Sequence, residues 1–348
     1  MAGDPKLAII ISCFNYEQYV ERAIRSVVAQ CRDDCELIVV DDGSTDSSWD
    51  VISSSGVTAF RINNSGARLA CLFGLDRTRA PFILFLDADD ELKPGSLAAI
   101  IARLDPSVAK LQFPLTRVNA DGDVIGKARP SLEEFRTRND LANRILQTGV
   151  YTTPPTSGNV FRRDVCEILR EAAYDQFVDG VILFAAPFMG DVVSLSDELG
   201  LYRIHERNDS GLGRALDPVT LERDICRFVA RMDHLRMIVG RFGQKDALVK
   251  PQDTFFYMER SFYRDIASGR RPDRVTLPLL ISRLWGDYRH LMTKVAMTAF
   301  FLLVMVLPNS RSQPLLAYRF RVGRRSTLGF LKTMIRGNGD RSSDTPEA

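Results

Sequence analysis

Three carboxylates in four positions, Asp87, Asp89 and Asp90, follow directly on the apolar run Phe82-Ile83-Leu84-Phe85-Leu86. Like charges this close repel, and a hard divalent cation with oxygen ligands offsets them well. The plainer alternative is a solvated acidic turn that caps the next helix. Three earlier segments also carry groups suited to a polar ligand. Ser12-Cys13-Phe14-Asn15-Tyr16 offers a hydroxyl and an aromatic face, Asp41-Asp42-Gly43-Ser44 a carboxylate pair, and Asn64-Ser65-Gly66 a turn. A carboxylate accepts from N–H and O–H donors with directional discrimination. Phe14 could equally be core, and Asp41 or Asp42 could cap the helix after Gly43.

Each of these segments follows a stretch that reads as a strand. Residues 7–12, 37–40, 57–62 and 82–86 are apolar runs of strand length, and the last reads as buried on both faces. Between them, residues 17–30 place Val20, Ile24, Val27 and Val28 at helical spacing. Residues 45–53, capped by Thr45 or Asp46, and residues 67–77 also read as helices. Strand–helix alternation of this kind predicts an α/β, doubly wound, mostly parallel sheet. Ligands of such sheets bind beyond the carboxyl ends of the strands, where these four segments would lie.

After Pro94 the pattern changes. A helix runs to about Leu104, and residues 110–118 and 123–125 flank Asn119-Ala120-Asp121-Gly122 as a hairpin. Helices are expected over 140–147, 165–173 and 179–188, and short strands over 192–195 and 199–204. Hydrophobic residues make up 45% of the chain and charged residues 26%, which is ordinary for a globular protein. Cys31 and Cys35 stand four apart with no second pair or nearby His to complete a zinc site. The scattered cysteines read as buried, reduced thiols of a cytoplasmic protein. The apolar run at residues 7–11 is too short for a signal peptide.

The order and spacing of the four segments resemble those of the family 2 glycosyltransferases with a GT-A fold, over roughly residues 6–210. The resemblance implies an inverting, metal-dependent transfer of one sugar from a nucleotide-sugar, a uridine diphosphate sugar first among them, to a glycan or lipid-linked saccharide in surface polysaccharide biosynthesis. It implies nucleotide contacts from Ser12, Phe14, Asn15, Asp41, Asp42, Asn64, Gly66, Asp87 and Ala88. Asp87 and Asp89 match the family's DXD motif, and Asp89 becomes the ligand for Mn²⁺ or Mg²⁺. Leu201-Tyr202-Arg203-Ile204-His205 resembles a closing Tyr-Arg-x-His element, which implies that His205 joins the metal and Arg203 contacts the donor phosphates. The catalytic base is expected on an acid after the Ser157–Arg163 segment, where Asp179 fits and Asp175 is the fallback. Asp179 could instead be a simple helix cap. The family's Ala-Arg-Asn-x-Gly stretch is replaced by Ala70-Cys71-Leu72-Phe73-Gly74, without the Arg and Asn.

The expected organisation is a catalytic domain over 1–212, with a nucleotide-sugar half at 1–105 and an acceptor half at 106–212. A helical C-terminal region follows over 213–337, and a disordered tail over 338–348. The loop 206–213 is a candidate flap over the donor. Residues 295–307 carry no charge, too short a run to span a bilayer, and residues 308–339 hold seven Lys or Arg and no acid. That combination predicts a peripheral protein at the inner face of the cell membrane, with a membrane surface and no nucleic acid among its partners. Two other classes remain. One is a catalytically silent glycosyltransferase-like binding protein. The other is a phosphatase of the haloacid dehalogenase type, disfavoured because its Asp-x-Asp belongs to the first strand rather than the fourth.

Overall fold

The computed structural model describes residues 5–30, 33–206, 217–287 and 289–320. The candidate flap at 206–213, Cys31, most of the basic stretch before residue 339 and the polar tail therefore lie largely or wholly outside the described residues. The chain divides into two compact units, Met1–Arg207 with Arg231–Leu248, and Asn208–Ala230 with Val249–Ala348. The expected boundary after residue 212 falls outside the described residues. Residues 231–248 group with the first unit, which departs from the expected division.

The first unit opens with β1 (Leu7–Cys13), α1 (Val20–Val28), β2 (Cys35–Asp41), α2 (Ser48–Ser54), β3 (Thr58–Arg61), α3 (Ala67–Leu75) and β4 (Phe82–Asp87). These three strand–helix–strand crossovers make β1 parallel to both β2 and β4, with β3 beside β2. The helices cover both faces, so the strands are apolar without alternation. Leu7, Ile9 and Ile11 pack with Ile24 and Val27 of α1 on one face, and Ile38 and Val40 with Ala70 of α3 on the other. Gly74 lets α3 approach the sheet: a Cβ there would sit 2.6 Å from Ile10 Cγ2.

The second half of this unit adds β5 (Glu91–Leu92), α4 (Ser96–Ile101), β6 (Val108–Gln112), β7 (Leu115–Val118), β8 (Val124–Gly126), β9 (Phe135–Thr137), α5 (Asn139–Thr148), β10 (Asn159–Arg162), α6 (Arg163–Glu167), α7 (Val181–Met189), β11 (Asp191–Ser194) and β12 (Gly200–Arg203). The large sheet has the order β3-β2-β1-β4-β10-β6-β11-β9, and a smaller one the order β5-β12-β7-β8. Strands β10 and β9 run antiparallel to their neighbours, so the large sheet is mixed rather than purely parallel. The stretch 110–118, expected as one hairpin arm, is cut at Phe113-Pro114. Its first part joins the large sheet as β6, and only β7 pairs with β8 around the Asn119–Gly122 turn. Proline lacks the N–H that a continuous ladder needs.

The second unit is helical. After the start of α8 (Pro218–Gly240) come α9 (Phe255–Ala267), α10 (Leu277–Gly286), α11 (Leu291–Val306) and α12 (Asn309–Phe320). Its core gathers Leu221, Phe262, Tyr263, Leu284, Phe300, Phe301 and Leu315. Among the described residues no helix is long and apolar enough to cross a membrane.

Candidate active site

The candidate site lies beyond the carboxyl ends of β1, β2 and β4. Register places Ser12 opposite both Val40 and Asp87, and Cys13 opposite Asp41. The chain therefore leaves the sheet at three adjacent points, each bearing one of the polar segments. Phe14, just past β1, is 41% exposed and stands clear of the core.

Several residues expected on the nucleotide instead hold these loops together. Asn15, at φ 59°, accepts through Oδ1 from Thr45 N at 2.8 Å and from Asp46 N at 3.4 Å, which fastens the β1 loop to the β2 loop. Asp42 is buried and accepts from Ser65 N, Ser65 Oγ and Gly66 N at 2.8, 3.0 and 2.8 Å. Both of its oxygens accept from the Asn64-Ser65-Gly66 turn, so Asp42 braces that turn. Gly66, at φ 92°, starts α3. Gly43, at φ 74°, passes so close to Asn64 N that a Cβ would lie 2.7 Å from it. Asp41 is fully buried, with Arg61 Nε 3.2 Å from Oδ2. Its Oδ1 has no hydrogen-bond partner among the described residues. A recess of about 770 Å³ lies against these loops, lined by Gly43, Ser44, Thr45, Arg61, Ile62, Asn63 and Asn64.

The acidic segment folds into a turn in which Asp90 N donates to Asp87 O at 3.0 Å. Asp87 N donates to Ser157 Oγ at 3.1 Å, and Ala88 is buried beneath. Burial, then the charge of Asp89, pushes the carboxyls of Asp87 and Asp90 well above the ordinary range. Asp89 Oδ2 stands 2.9 Å from His205 Nε2. The His205 ring stacks on Tyr19 at 5.0 Å between centroids and meets Tyr16 edge-on at 5.9 Å. Strand β12 (Gly200–Arg203) thus delivers His205 to the acidic turn.

Arg203 does not do what the sequence suggested. Its side chain is fully buried and donates to the carbonyls of Asp89 (2.9 Å), Asn119 (3.1 Å) and Ala120 (2.9 Å) and to the carboxylate of Glu91. Its backbone N–H donates to Asp90 Oδ1 at 3.0 Å. A planar fork of donors suits such a junction. The expected donor-phosphate contact is replaced by a clamp that joins the acidic turn to the β7–β8 hairpin.

Asp179 is half-buried two residues ahead of α7, and Gly180 rather than Asp179 occupies the cap position. Its charge helps to raise the Asp87 carboxyl, which puts it within electrostatic reach of the cluster. The fallback, Asp175, is buried and accepts from Phe177 N at 3.1 Å, which makes it a brace of the loop. Arg68, in the first turn of α3, donates to the carbonyls of Asp175 and Leu169, both at 2.9 Å, and its N–H to that of Gln176. Sequence reasoning missed Arg68 and Tyr19, and gave Tyr16 and Ser157 no role although they lay in segments it marked. Only the tyrosines carried a signal, standing three apart just after the first strand.

Residues 8–169 match the family model described as Glycosyl transferase family 2. Among curated proteins, the uncharacterized glycosyltransferase alr2836 of Nostoc sp. is 35% identical over 215 residues, which cover 59% of this chain and 66% of that protein. The GalNAc(5)-diNAcBac-PP-undecaprenol beta-1,3-glucosyltransferase of Campylobacter jejuni is 33% identical over 112 residues, 30% of this chain and 36% of that one. The chain therefore spans less than two thirds of these relatives. Among solved structures, residues 1–349 of S. aureus TarS in complex with UDP match with a TM-score of 0.50 at 18% identity, covering 94% of this chain and 89% of that one.

Proposed function

We propose that this chain, whose residues 8–169 match the Glycosyl transferase family 2 model, is an inverting transferase moving one sugar from a nucleoside diphosphate sugar to a saccharide acceptor. The observation that supports this most is the convergence at one sheet edge of Asp87, Asp89 and His205 with Asp179, which is held on a separate loop. Donor and acceptor chemistry need such a division. One group of side chains must face the leaving diphosphate, and a base must face the acceptor hydroxyl.

Asp179 takes the proton from the acceptor hydroxyl as its oxygen attacks the anomeric carbon. The bond from that carbon to the diphosphate breaks on the opposite face, and its electron pair leaves with the diphosphate oxygen. Phe14 offers an exposed ring for the base, while Ser12 and Asp87 line the strand ends. Asp89 and His205, which meet through a 2.9 Å hydrogen bond, supply one carboxylate oxygen and one ring nitrogen, donor types that suit a divalent cation such as Mn²⁺ or Mg²⁺. Burial, then the charge of Asp89, raises the neighbouring Asp87 and Asp90 carboxyls, and a cation beside them would offset that charge crowding. When bound, such an ion supplies Lewis-acid neutralisation of the charge gathering on the nucleoside diphosphate. Among the described residues no set of three His, Cys, Asp or Glu side chains forms a complete metal cage. The donor's phosphate oxygens and water would complete the shell.

The Campylobacter relative is named for a lipid-linked acceptor. We read the acceptor here as a growing surface glycan or lipid-linked saccharide, met by a peripheral protein at the inner face of the membrane. The test is a release assay for nucleoside diphosphate with a panel of uridine diphosphate sugars and lipid-linked acceptors. Asp179→Asn should lower turnover by about 10²–10⁴ while the donor still binds. Full turnover in Asp179→Asn would remove the base assignment. Donor binding without transfer by the wild type on every acceptor would favour the silent binding protein.

A further inference from the structure

Helix α11 buries one side in the core of the second unit, through Met297, Phe300, Phe301 and Val304. A surface helix ordinarily turns polar and charged residues to water on its other side. Helix α11 does not. Its solvent-facing residues include Leu291, Met292, Val295, Leu302 and Val306, between 46% and 82% exposed. Ala296 and Ala299 lie exposed between them. Positions 291, 295, 299, 302 and 306 follow the three-to-four-residue helical repeat, so they form one apolar stripe along the helix. Lys294 is the only charged residue of α11, and its Nζ donates to Trp285 O at 2.9 Å. Trp285 itself, near the end of α10, is 46% exposed, and its ring N–H donates to Thr298 Oγ1 at 3.1 Å.

The charge of the stretch of chain that carries this stripe is predominantly positive. Residues 270–320 hold eight Lys or Arg against two acids, Asp273 and Asp287. Arg283, Arg289 and Arg311 are exposed.

We propose that the α11 stripe docks onto an anionic lipid surface. Its apolar residues and Trp285 enter the boundary between headgroups and acyl chains, while the exposed arginines meet lipid phosphates. At 16 residues α11 is about 24 Å long, which suits a helix lying in the interface rather than crossing it. A second copy would bring the same basic rim against itself. The chain's own residues 321–339 hold five Lys or Arg and no acid, so they lack the complementary charge as well. The inference rests on the membrane-surface part of the proposed function for its purpose, whereas docking itself requires no sugar chemistry.

The test is co-sedimentation of the full chain with vesicles of phosphatidylcholine, alone or mixed with phosphatidylglycerol, at low and high salt. Binding should appear on the anionic vesicles and weaken with salt. It should fall roughly tenfold or more in Leu302→Glu combined with Val306→Glu. Both positions are exposed, and retained thermal stability of the double variant certifies its fold. Absence of binding to either vesicle would overturn the proposal. So would equal binding by the double variant, or a wild-type dimer that the double variant splits. Thermal stabilisation by uridine diphosphate, measured on the same samples, reports separately on the donor site, so failure of the glycosyltransferase reading would show there and not in the vesicles.

Discussion

Replacing Arg203 by Ala should unfold the candidate site from beneath rather than merely weaken a ligand. The guanidinium is fully buried and bridges the carbonyls of Asp89, Asn119 and Ala120 and the carboxylate of Glu91. Truncation leaves those carbonyls and the Glu91 carboxylate without their cation, while the backbone N–H that Asp90 accepts from is kept. Removing one partner from a buried ion pair costs about 3–5 kcal/mol, a large part of a total stability of about 5–15 kcal/mol. For a unit of this size each kcal/mol moves the midpoint by about 2–4 °C. The melting temperature, followed by circular dichroism, should therefore fall by about 6–20 °C. Arg203→Lys keeps the charge but not the planar fork, so its midpoint should lie between the two. A midpoint within about 2 °C of wild type, combined with lost binding of uridine diphosphate, would refute the clamp and restore Arg203 as a donor contact.

Three further outcomes follow from the same structure. Asp42→Ala strips the acceptors from Ser65 N, Ser65 Oγ and Gly66 N, and urea denaturation should show a loss of about 2–4 kcal/mol; an unchanged midpoint would mean that the turn holds itself. Burial pushes the thiols of Cys13 and Cys71 up to about 12, and Cys35 and Cys166 are also buried. Iodoacetamide followed by mass spectrometry should therefore label exposed Cys226 in the native protein well before those four, and early labelling of Cys71 would contradict the packing of α3. Burial lowers the His234 imidazole below 6.5 against the opposing pull of Glu171. As pH falls the unfolded chain takes up that proton first, so this contribution is intact above about pH 6.5 and is lost as pH drops through the lowered folded value. His234→Gln should flatten the stability profile between about pH 7 and about pH 5, and an unaltered slope would place the titration elsewhere.

The parts of the fold that were legible are those where burial dictates composition. Strands β1, β2 and β4 have helices on both faces, so their apolar runs announce themselves. Strand β10 passed unnoticed because its four residues begin with Asn159 and end with Arg162, which no periodicity marks as a strand. The break at Pro114, within the stretch 110–118 expected as one hairpin arm, was not read, and which of the two sheets each part joins depends on partners far along the chain. At the site, residue types were legible and their directions were not. Asp42 and Arg203 carry the charges that a nucleotide would want, yet both turn to the protein itself. Asp89 and His205 stand 116 positions apart and meet because β12 pairs with the strand β5 that leaves the acidic turn.

The most direct test is thermal stability with uridine diphosphate, with and without Mn²⁺, in the wild type and in Asp89→Ala. At a hundredfold the dissociation constant a ligand adds about 2.7 kcal/mol. The site described here predicts stabilisation that requires the metal and disappears in Asp89→Ala. Stabilisation of equal size without Mn²⁺, or retained in Asp89→Ala, would contradict the assignment of Asp89 and His205 to a cation on the donor diphosphate.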